Sequence, residues 1–185
     1  MPKNKNSKSF EIALSGIACA IAVIFLFVGT MVPYLLATGY FMAIVALMLP
    51  ITKQFYKGAF FAYICTCILT LVMGAVARVW DLVPFIIFFG LHPIVNAVQE
   101  KRKFNKLLAL LLKAIWFDLM LVASYHLVFN GMFGLSFLPD NIYEIVNKYI
   151  YLFIATLGTL FFILYDFIVF KTQVVVNMII ARIKK

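Results

Sequence analysis

Charged side chains are unusually scarce in this 185-residue sequence. Only 12% of the residues are Asp, Glu, Lys or Arg, whereas 65% are hydrophobic. Soluble domains contain about 25% charged and about 45–50% apolar residues, so a chain of this composition cannot cover itself with a polar surface. The composition therefore excludes a soluble globular domain and predicts that lipid is the solvent for most of the chain.

Residues that carry chemistry are scarce as well. The chain has 7 acidic residues, 2 histidines and 3 cysteines. The sequence contains no nucleophile elbow, no helical pair of metal-binding histidines and no acidic cluster for phosphoryl transfer. Cys19, Cys65 and Cys67 lie within apolar stretches, where thiols usually act as small buried side chains. We therefore expect no enzymatic activity, no metal site and no cofactor.

What the sequence does contain is a series of long apolar runs with short polar connectors. A spanning helix needs roughly 20 apolar residues, and lipid offers no partner for a non-helical backbone. The runs predict an all-α integral membrane bundle of about six transmembrane helices, forming a single domain over residues 1–185. The expected spans are Phe10–Val32, Tyr34–Ile51, Gly58–Ala77, Leu82–Val98, Leu107–Phe129 and Tyr149–Phe170.

The basic residues predict the orientation of this bundle. Most of them lie in residues 1–9, in the connectors around Lys53 and Arg102, and at the C-terminus. Short loops rich in Lys and Arg remain in the cytoplasm, so both termini are expected inside, in a multi-pass protein of the cell membrane. Because these cations separate apolar runs, the net charge of +9 does not indicate nucleic-acid binding. Residues 1–9 form a basic tail, and residues 173–185 are predicted to form an amphipathic cytoplasmic tail on the inner leaflet.

Polar residues within the spans predict a hydrophilic, ligand-binding pocket lined by the third to sixth helices. Asp118 lies about 16 Å into its helix, near the bilayer centre, where an unpaired carboxylate costs several kcal/mol. It is therefore expected to bind a ligand or a proton. The other candidates are His92 and Asn96 on the fourth span, Thr66 and Thr70 on the third (followed by Gly74), Tyr125 on the fifth and Thr159 on the sixth. The alternative is that these groups only pack helices together.

Two charges and one loop lie towards the ends of the spans. Asp166, about a turn from Lys171, predicts an ion pair at the inner interface. Lys113 is expected to extend its side chain towards the same interface. The long outer loop, residues 130–148, either covers the mouth of the bundle or rests on lipid headgroups.

The first span carries a stripe of small residues. Gly16 and Ala20, and likewise Ala18 and Ala22, form pairs spaced by four residues, a pattern that allows close backbone approach between membrane helices. The stripe either packs inside this chain or docks a separate membrane partner.

Several segments together resemble the S components of energy-coupling factor transporters. These are the lysine-rich start, the small-residue first helix from Phe10 to Ala20, the Lys57-Gly58-Ala59 turn, and the fourth helix with its basic loop. The segments Phe88 to Pro93 and Lys113 to Asp118 are also similar to six-span Firmicutes membrane proteins that themselves look like S components. The resemblance implies capture of a vitamin or other micronutrient, with a transmembrane coupling protein and cytoplasmic ATPases as partners. It also implies that the family's docking motif falls on Gly16 and Ala20, or on Ala18 and Ala22.

A second hypothesis comes from another functional class. The chain is similar in size to the rod-shape-determining membrane proteins of cell-wall synthesis, and a membrane scaffold or assembly factor of the cell envelope would use its polar stripes as subunit contacts. The sequence has no phosphate-binding loop. Energy for transport would therefore come from partner proteins or from an ion gradient.

The predicted orientation is tested by labelling intact cells with a membrane-impermeant maleimide. Lys103→Cys, in the connector from Glu100 to Lys106, should react only after permeabilisation, whereas Asp140→Cys in the outer loop should react at once. The unsubstituted chain, whose cysteines lie within apolar spans, is the control. Reaction of Lys103→Cys in intact cells would contradict both the orientation and the proposed pocket.

Overall fold

A computed structural model describes residues 5–73, 79–126 and 148–183 of the chain. Within these ranges 93% of the residues are helical and there are no strands, so the predicted all-α class is confirmed. In the described part of the chain, four helices are long and apolar enough to cross a membrane: Lys8–Met31, Val79–Lys101, Lys106–Ser124 and Lys148–Ile180. Two further apolar helices, Leu36–Thr52 and Tyr56–Val72, are shorter.

The helical elements follow one another with short connections. In chain order they are α1 (Lys5–Met31), a 3-10 turn (Pro33–Leu35), α2 (Leu36–Thr52), α3 (Tyr56–Val72), α4 (Val79–Pro84), a π-helical turn (Phe85–Phe89), α5 (His92–Lys101), α6 (Lys106–Ser124), a second π-helical turn (Ile154–Gly158) and α7 (Thr159–Ile183). Residues 148–153 are helical and lead into the second π-helical turn.

The predicted fourth span is interrupted between α4 and α5. Proline has no amide hydrogen and cannot continue a helical ladder, and Pro84 ends α4 just before the π-helical turn. The Gly90 and Leu91 amides then bond to the carbonyls of Phe85 and Phe88. The Ile86 carbonyl accepts a hydrogen bond from the Tyr63 hydroxyl of α3 instead. A side chain from a neighbouring helix thus compensates for the interruption, as kinked helices in apolar surroundings require.

The last helix is longer than the predicted sixth span. α7 continues past Phe170 to Ile183 without interruption. No glycine or proline occurs after Phe170, so nothing in the sequence interrupts the hydrogen-bond ladder. The described part of the amphipathic tail is therefore helical, and its position on the inner leaflet stays a prediction.

The chain divides into two compact units. The large unit comprises residues 1–103 and 169–185, and the small unit comprises residues 104–168. The prediction of one transmembrane domain over residues 1–185 stays a prediction.

In the large unit, α1 and α2 cross at two glycines. A Cβ added to Gly39 would lie 2.7 Å from the Phe25 carbonyl oxygen and 3.0 Å from the Gly29 Cα. Such backbone proximity is possible only without side chains, and it is the usual reason for small residues in apolar helix contacts. Leu26, Ala43 and Leu47 are almost fully buried in the core of this unit.

In the small unit, α6 begins at a cap and exposes an apolar face. The Asn105 side chain accepts a hydrogen bond from the Leu107 amide at 3.0 Å, which satisfies a backbone donor at the helix start. One face of α6 has exposed hydrophobic side chains at intervals of four residues: Leu107, Leu111, Ile115 and Leu119. A stripe of this kind is unfavourable in water and compatible with lipid.

The glycine crossing predicts a marked difference between two Gly→Ala substitutions in helices. Gly39→Ala should destabilise the protein by about 1–3 kcal/mol, because the new methyl group meets rigid backbone. Gly16→Ala is the matched control: a Cβ there has no atom within 4 Å, so its stability should be unchanged or slightly higher. Thermal unfolding of the purified proteins in detergent measures both. Equal midpoints for the two variants would contradict the crossing.

Candidate functional site

Asp118, the sharpest sequence candidate, contacts Thr159 across the small unit. The Thr159 hydroxyl donates a hydrogen bond to Asp118 Oδ2 at 2.9 Å. The second carboxyl oxygen, Oδ1, is buried and has no hydrogen-bond partner among the residues that the structure describes. Two of the residues predicted from sequence are therefore brought together, and they leave a buried acceptor oxygen available.

Space for the Asp118 carboxyl is provided by Gly158. A Cβ at this position would lie 3.1 Å from Asp118 Oδ1 and 2.9 Å from Leu121 Cδ1. Gly158 is also the last residue of the π-helical turn that precedes α7. Short π-helical turns shift the register of a helix and often occur at functional sites. Here the turn is followed at once by Thr159.

Lys113 and Asp166 form a buried ion pair on the same two helices. Lys113 Nζ lies 2.6 Å from Asp166 Oδ1, and the two side chains are only 7% and 17% exposed. The structure adds a partner that the sequence did not single out, because Asp166 pairs with Lys113 of α6. A charge among apolar side chains needs a close counter-charge. The predicted position of both charges near the inner interface stays a prediction.

A third polar pair completes a line of contacts. His126 Nε2 lies 3.0 Å from the Tyr151 hydroxyl. We call the pairs Lys113–Asp166, Asp118–Thr159 and His126–Tyr151 the polar seam. As residue numbers rise along α6 they fall along the partner segment, which is the pattern of an antiparallel helix pair. From Lys113 to His126 the seam covers about 20 Å, a large part of the thickness of a bilayer core.

Tyr125 lies beside the seam. Its side chain is buried, and its ring packs edge-on against the ring of His126 with centroids 5.4 Å apart. Its predicted role in ligand binding stays a prediction.

In the large unit, the two predicted threonines bond to their own helix. Thr66 and Thr70 are fully buried, and their hydroxyls donate to the carbonyls of Ala62 and Thr66 at 2.7 and 2.8 Å. These hydrogen bonds favour the packing alternative for both side chains. Gly74, the next member of the predicted stripe, lies outside the described residues.

The two candidates of the fourth span have different surroundings. His92 is fully buried and packs on Phe88, with ring centroids 5.1 Å apart. Asn96, one turn later, is half-buried and lines a cavity with Pro93, Ala97 and Glu100. The shared helical face predicted from sequence is therefore part core and part cavity wall. The predicted pocket lined by the third to sixth helices combines residues of both units, and it stays a prediction.

The small-residue stripe on α1 separates into two faces. Ala18 and Ala22 are fully buried inside the large unit, whereas Gly16 and Ala20 are exposed. The exposed pair lines an apolar groove of about 580 Å³ between α1 and α3. A Cβ on Gly58 of α3 would clash with Ser15 Oγ, which shows how closely the two helices approach below the groove. Internal packing thus uses one pair, and partner docking, as a prediction, is left with the other.

The buried partners of Lys113 and Tyr63 are features that sequence reasoning missed. Lys113 and Asp166 are 53 positions apart, and Tyr63 and Ile86 are 23 apart. A signal existed for the first pair, because both charges fall within apolar runs and opposite charges there tend to pair. No local pattern indicates the second, which depends on a carbonyl that becomes available only at the π-helical turn.

Neither metal ligands among the described residues nor a known relative indicates a function for this chain. Among the described residues, no three His, Cys, Asp or Glu side chains come together as metal ligands would. Scans against protein families, curated proteins and solved structures find no match to this chain. The likeness to S components therefore depends on the segments named in the sequence analysis.

The buried ion pair predicts an asymmetry between single and double substitutions. Asp166→Leu should destabilise the protein by about 3–5 kcal/mol, because it leaves the Lys113 ammonium buried without its counter-charge. Lys113→Met combined with Asp166→Leu should recover most of this loss. Thermal unfolding in detergent measures both, with the exposed Lys106→Met as control. If the double variant is as unstable as the single one, the ion pair is not the reason for the loss.

Proposed function

We propose that this chain is the membrane-embedded substrate-binding subunit of an uptake transporter for a small molecule such as a vitamin or other micronutrient, and that Asp118 binds the ligand. The observation that carries the proposal is that the Asp118 carboxyl is only half satisfied. The Thr159 hydroxyl donates to Oδ2, whereas Oδ1 is buried and has no partner among the described residues. A pre-oriented carboxylate in apolar surroundings binds an ammonium or another N–H donor strongly. The ligand is therefore one that presents such a donor.

The ion pair next to Asp118 supports this assignment. Lys113 neutralises Asp166, one of the two acidic residues on α6 and α7. Among the described residues, Asp118 has only the Thr159 hydroxyl as a hydrogen-bond partner, and a hydroxyl is a weaker partner than a cation. A carboxyl that served packing alone would be more stable with both oxygens satisfied. The incomplete satisfaction of Asp118 therefore favours a binding role.

We further propose that the bundle crosses the cell membrane six times with both termini in the cytoplasm. Support comes from the four long apolar helices, from the exposed apolar stripe of α6 and from the basic connectors. The two shorter apolar helices have 17 residues each, the lower limit for a spanning helix.

The proposal also includes the source of energy for uptake and the partner proteins that provide it. By the resemblance to S components, a transmembrane coupling protein and cytoplasmic ATPases power uptake, since the sequence has no phosphate-binding loop. The exposed Gly16 and Ala20, rather than the buried Ala18 and Ala22, form the docking face for the coupling protein. Small residues on an exposed face permit the close approach that helix association in membranes needs.

A second candidate is a membrane scaffold or assembly factor of the cell envelope. The groove between α1 and α3 favours it, because its lining is largely apolar and a partner helix could fill it without any ligand being involved. In that case the only role of the polar seam is to stabilise the packing of the helices in the small unit.

Ligand binding is tested by thermal shift of the purified protein against a panel of vitamins and amine-bearing metabolites. A stabilising metabolite should lose about tenfold or more of its affinity with Asp118→Asn, since hydrogen bonds to charged groups contribute about 1.5–3 kcal/mol. Thr159→Val should weaken binding less. Asp81→Asn, in the large unit, is the matched control and should bind normally. No shift with any member of the panel would count heavily against the proposal.

Partner capture separates the two candidate functions. Affinity purification from native membranes should recover ATPases together with a coupling protein, and Gly16→Leu should abolish their recovery because it fills the docking face. Ile24→Ala is the matched control, because Ile24 is an exposed residue of α1 that does not line the groove, and it should leave the recovery unchanged. Recovery of cell-wall or division proteins instead would favour the scaffold.

A further inference from the structure

A polar pocket lies at the end of the large unit where α2 and α5 end and α3 begins. It encloses about 330 Å³, near the lower end of the range for small-molecule sites. Its lining consists of Ile51, Thr52, Gln54, Tyr56, Ala97, Glu100, Lys101, Gln173 and Asn177. A smaller cavity of about 40 Å³ shares four of these residues and adds Pro93, Asn96, Val169, Phe170 and Val174. We call the two together the amide pocket, after its Asn and Gln side chains.

The tight connection between α2 and α3 forms one wall of this pocket. The backbone N–H of Gln54 donates a hydrogen bond to the Ile51 carbonyl at 2.8 Å, and Gln54 has a φ of 61°. This left-handed conformation is uncommon outside glycine and reverses the chain direction at the end of α2. The reversal places Gln54 and Tyr56 in the lining of the same pocket.

The lining of the pocket includes hydrogen-bond acceptors. Glu100 contributes a carboxylate. Gln173 Nε2 donates to Asn177 Oδ1 at 3.1 Å, while Gln173 Oε1 is buried with no partner in the described part of the chain. A buried acceptor without a donor is costly, so this oxygen favours a ligand that brings an N–H group.

A cation lies at the rim of the same pocket. Lys101 Nζ is 4.6 Å from the centre of the Tyr56 ring, and both residues belong to the lining. The aromatic face holds the ammonium at the pocket. Glu100 lines the same pocket, and because neighbouring helical residues do not face each other, its carboxylate is left for another donor. The pocket thus combines acceptors for a cationic group with a cation for an anionic group. Complementary chemistry is found in a zwitterion that carries a primary ammonium and a phosphate.

We propose that the amide pocket binds a phosphoethanolamine group, with its ammonium on Glu100 and the Gln173 amide oxygen and its phosphate on Lys101. The group is carried either by a membrane lipid or by a small soluble molecule. Apolar Ile51, Phe170 and Val174 in the lining suit a lipid headgroup whose chains continue along the helices. Phosphocholine does not fit, because its quaternary nitrogen has no N–H to donate. This site is separate from Asp118, so it does not depend on the proposed transport function.

Native mass spectrometry of the purified full chain tests the proposal, with dioleoyl phosphatidylethanolamine, phosphatidylcholine and phosphatidylglycerol as probes in equal amounts. The protein should retain the ethanolamine lipid about tenfold more than either of the others, as expected for charge-assisted hydrogen bonds. Glu100→Gln should remove this preference, and Lys101→Gln should weaken it. Glu11→Gln and Lys103→Gln are matched controls outside the pocket and should retain it.

A second measurement identifies the source of the group. If free O-phosphoethanolamine displaces the retained lipid at millimolar concentration, the ligand is the soluble zwitterion. If it does not, the ligand is the lipid, and both results support the pocket chemistry. Equal retention of choline and ethanolamine lipids, or an unchanged preference in Glu100→Gln with an unchanged elution profile on gel filtration, would overturn the proposal.

Discussion

Polar groups on apolar helices have to be satisfied by the chain itself, and the described structure is organised around this constraint. Thr66 and Thr70 donate to carbonyls of their own helix. The Ile86 carbonyl at the π-helical turn receives the Tyr63 hydroxyl. An unsatisfied group would cost several kcal/mol in surroundings without water. At the first π-helical turn, a side chain from another helix therefore provides the missing partner.

Charged side chains among apolar ones also need partners, and the polar seam provides them for Lys113 and Asp166. The Lys113–Asp166 ion pair neutralises both members, so neither is an isolated charge among apolar side chains. Asp118 differs, since one of its oxygens has no partner among the described residues. In the large unit the Gln173 amide oxygen is in the same situation. A ligand that donates a hydrogen bond to either acceptor would add to the stability of the protein.

Small residues decide where helices approach and where they leave a surface for others. Gly29 and Gly39 bring α1 and α2 into backbone contact, and Gly158 makes room for the Asp118 carboxyl. Gly16, in contrast, has nothing within 4 Å of its Cβ position. The same residue type thus serves close internal packing at some positions and an exposed groove at another, and the sequence pattern alone cannot distinguish the two uses.

Composition and periodicity alone determined the helical class and the approximate positions of the helices, because an apolar run of spanning length permits only helical backbone. They also marked Asp118 as a costly charge within such a run. They also identified Thr159 as a candidate. Only the tertiary structure decided that Thr159 bonds Asp118, that Lys113 pairs with Asp166, and that Ala18 and Ala22 are buried while Gly16 and Ala20 are exposed. The physical reason is that helical spacing defines which residues share a face, whereas the neighbour of that face depends on contacts between residues far apart in the chain.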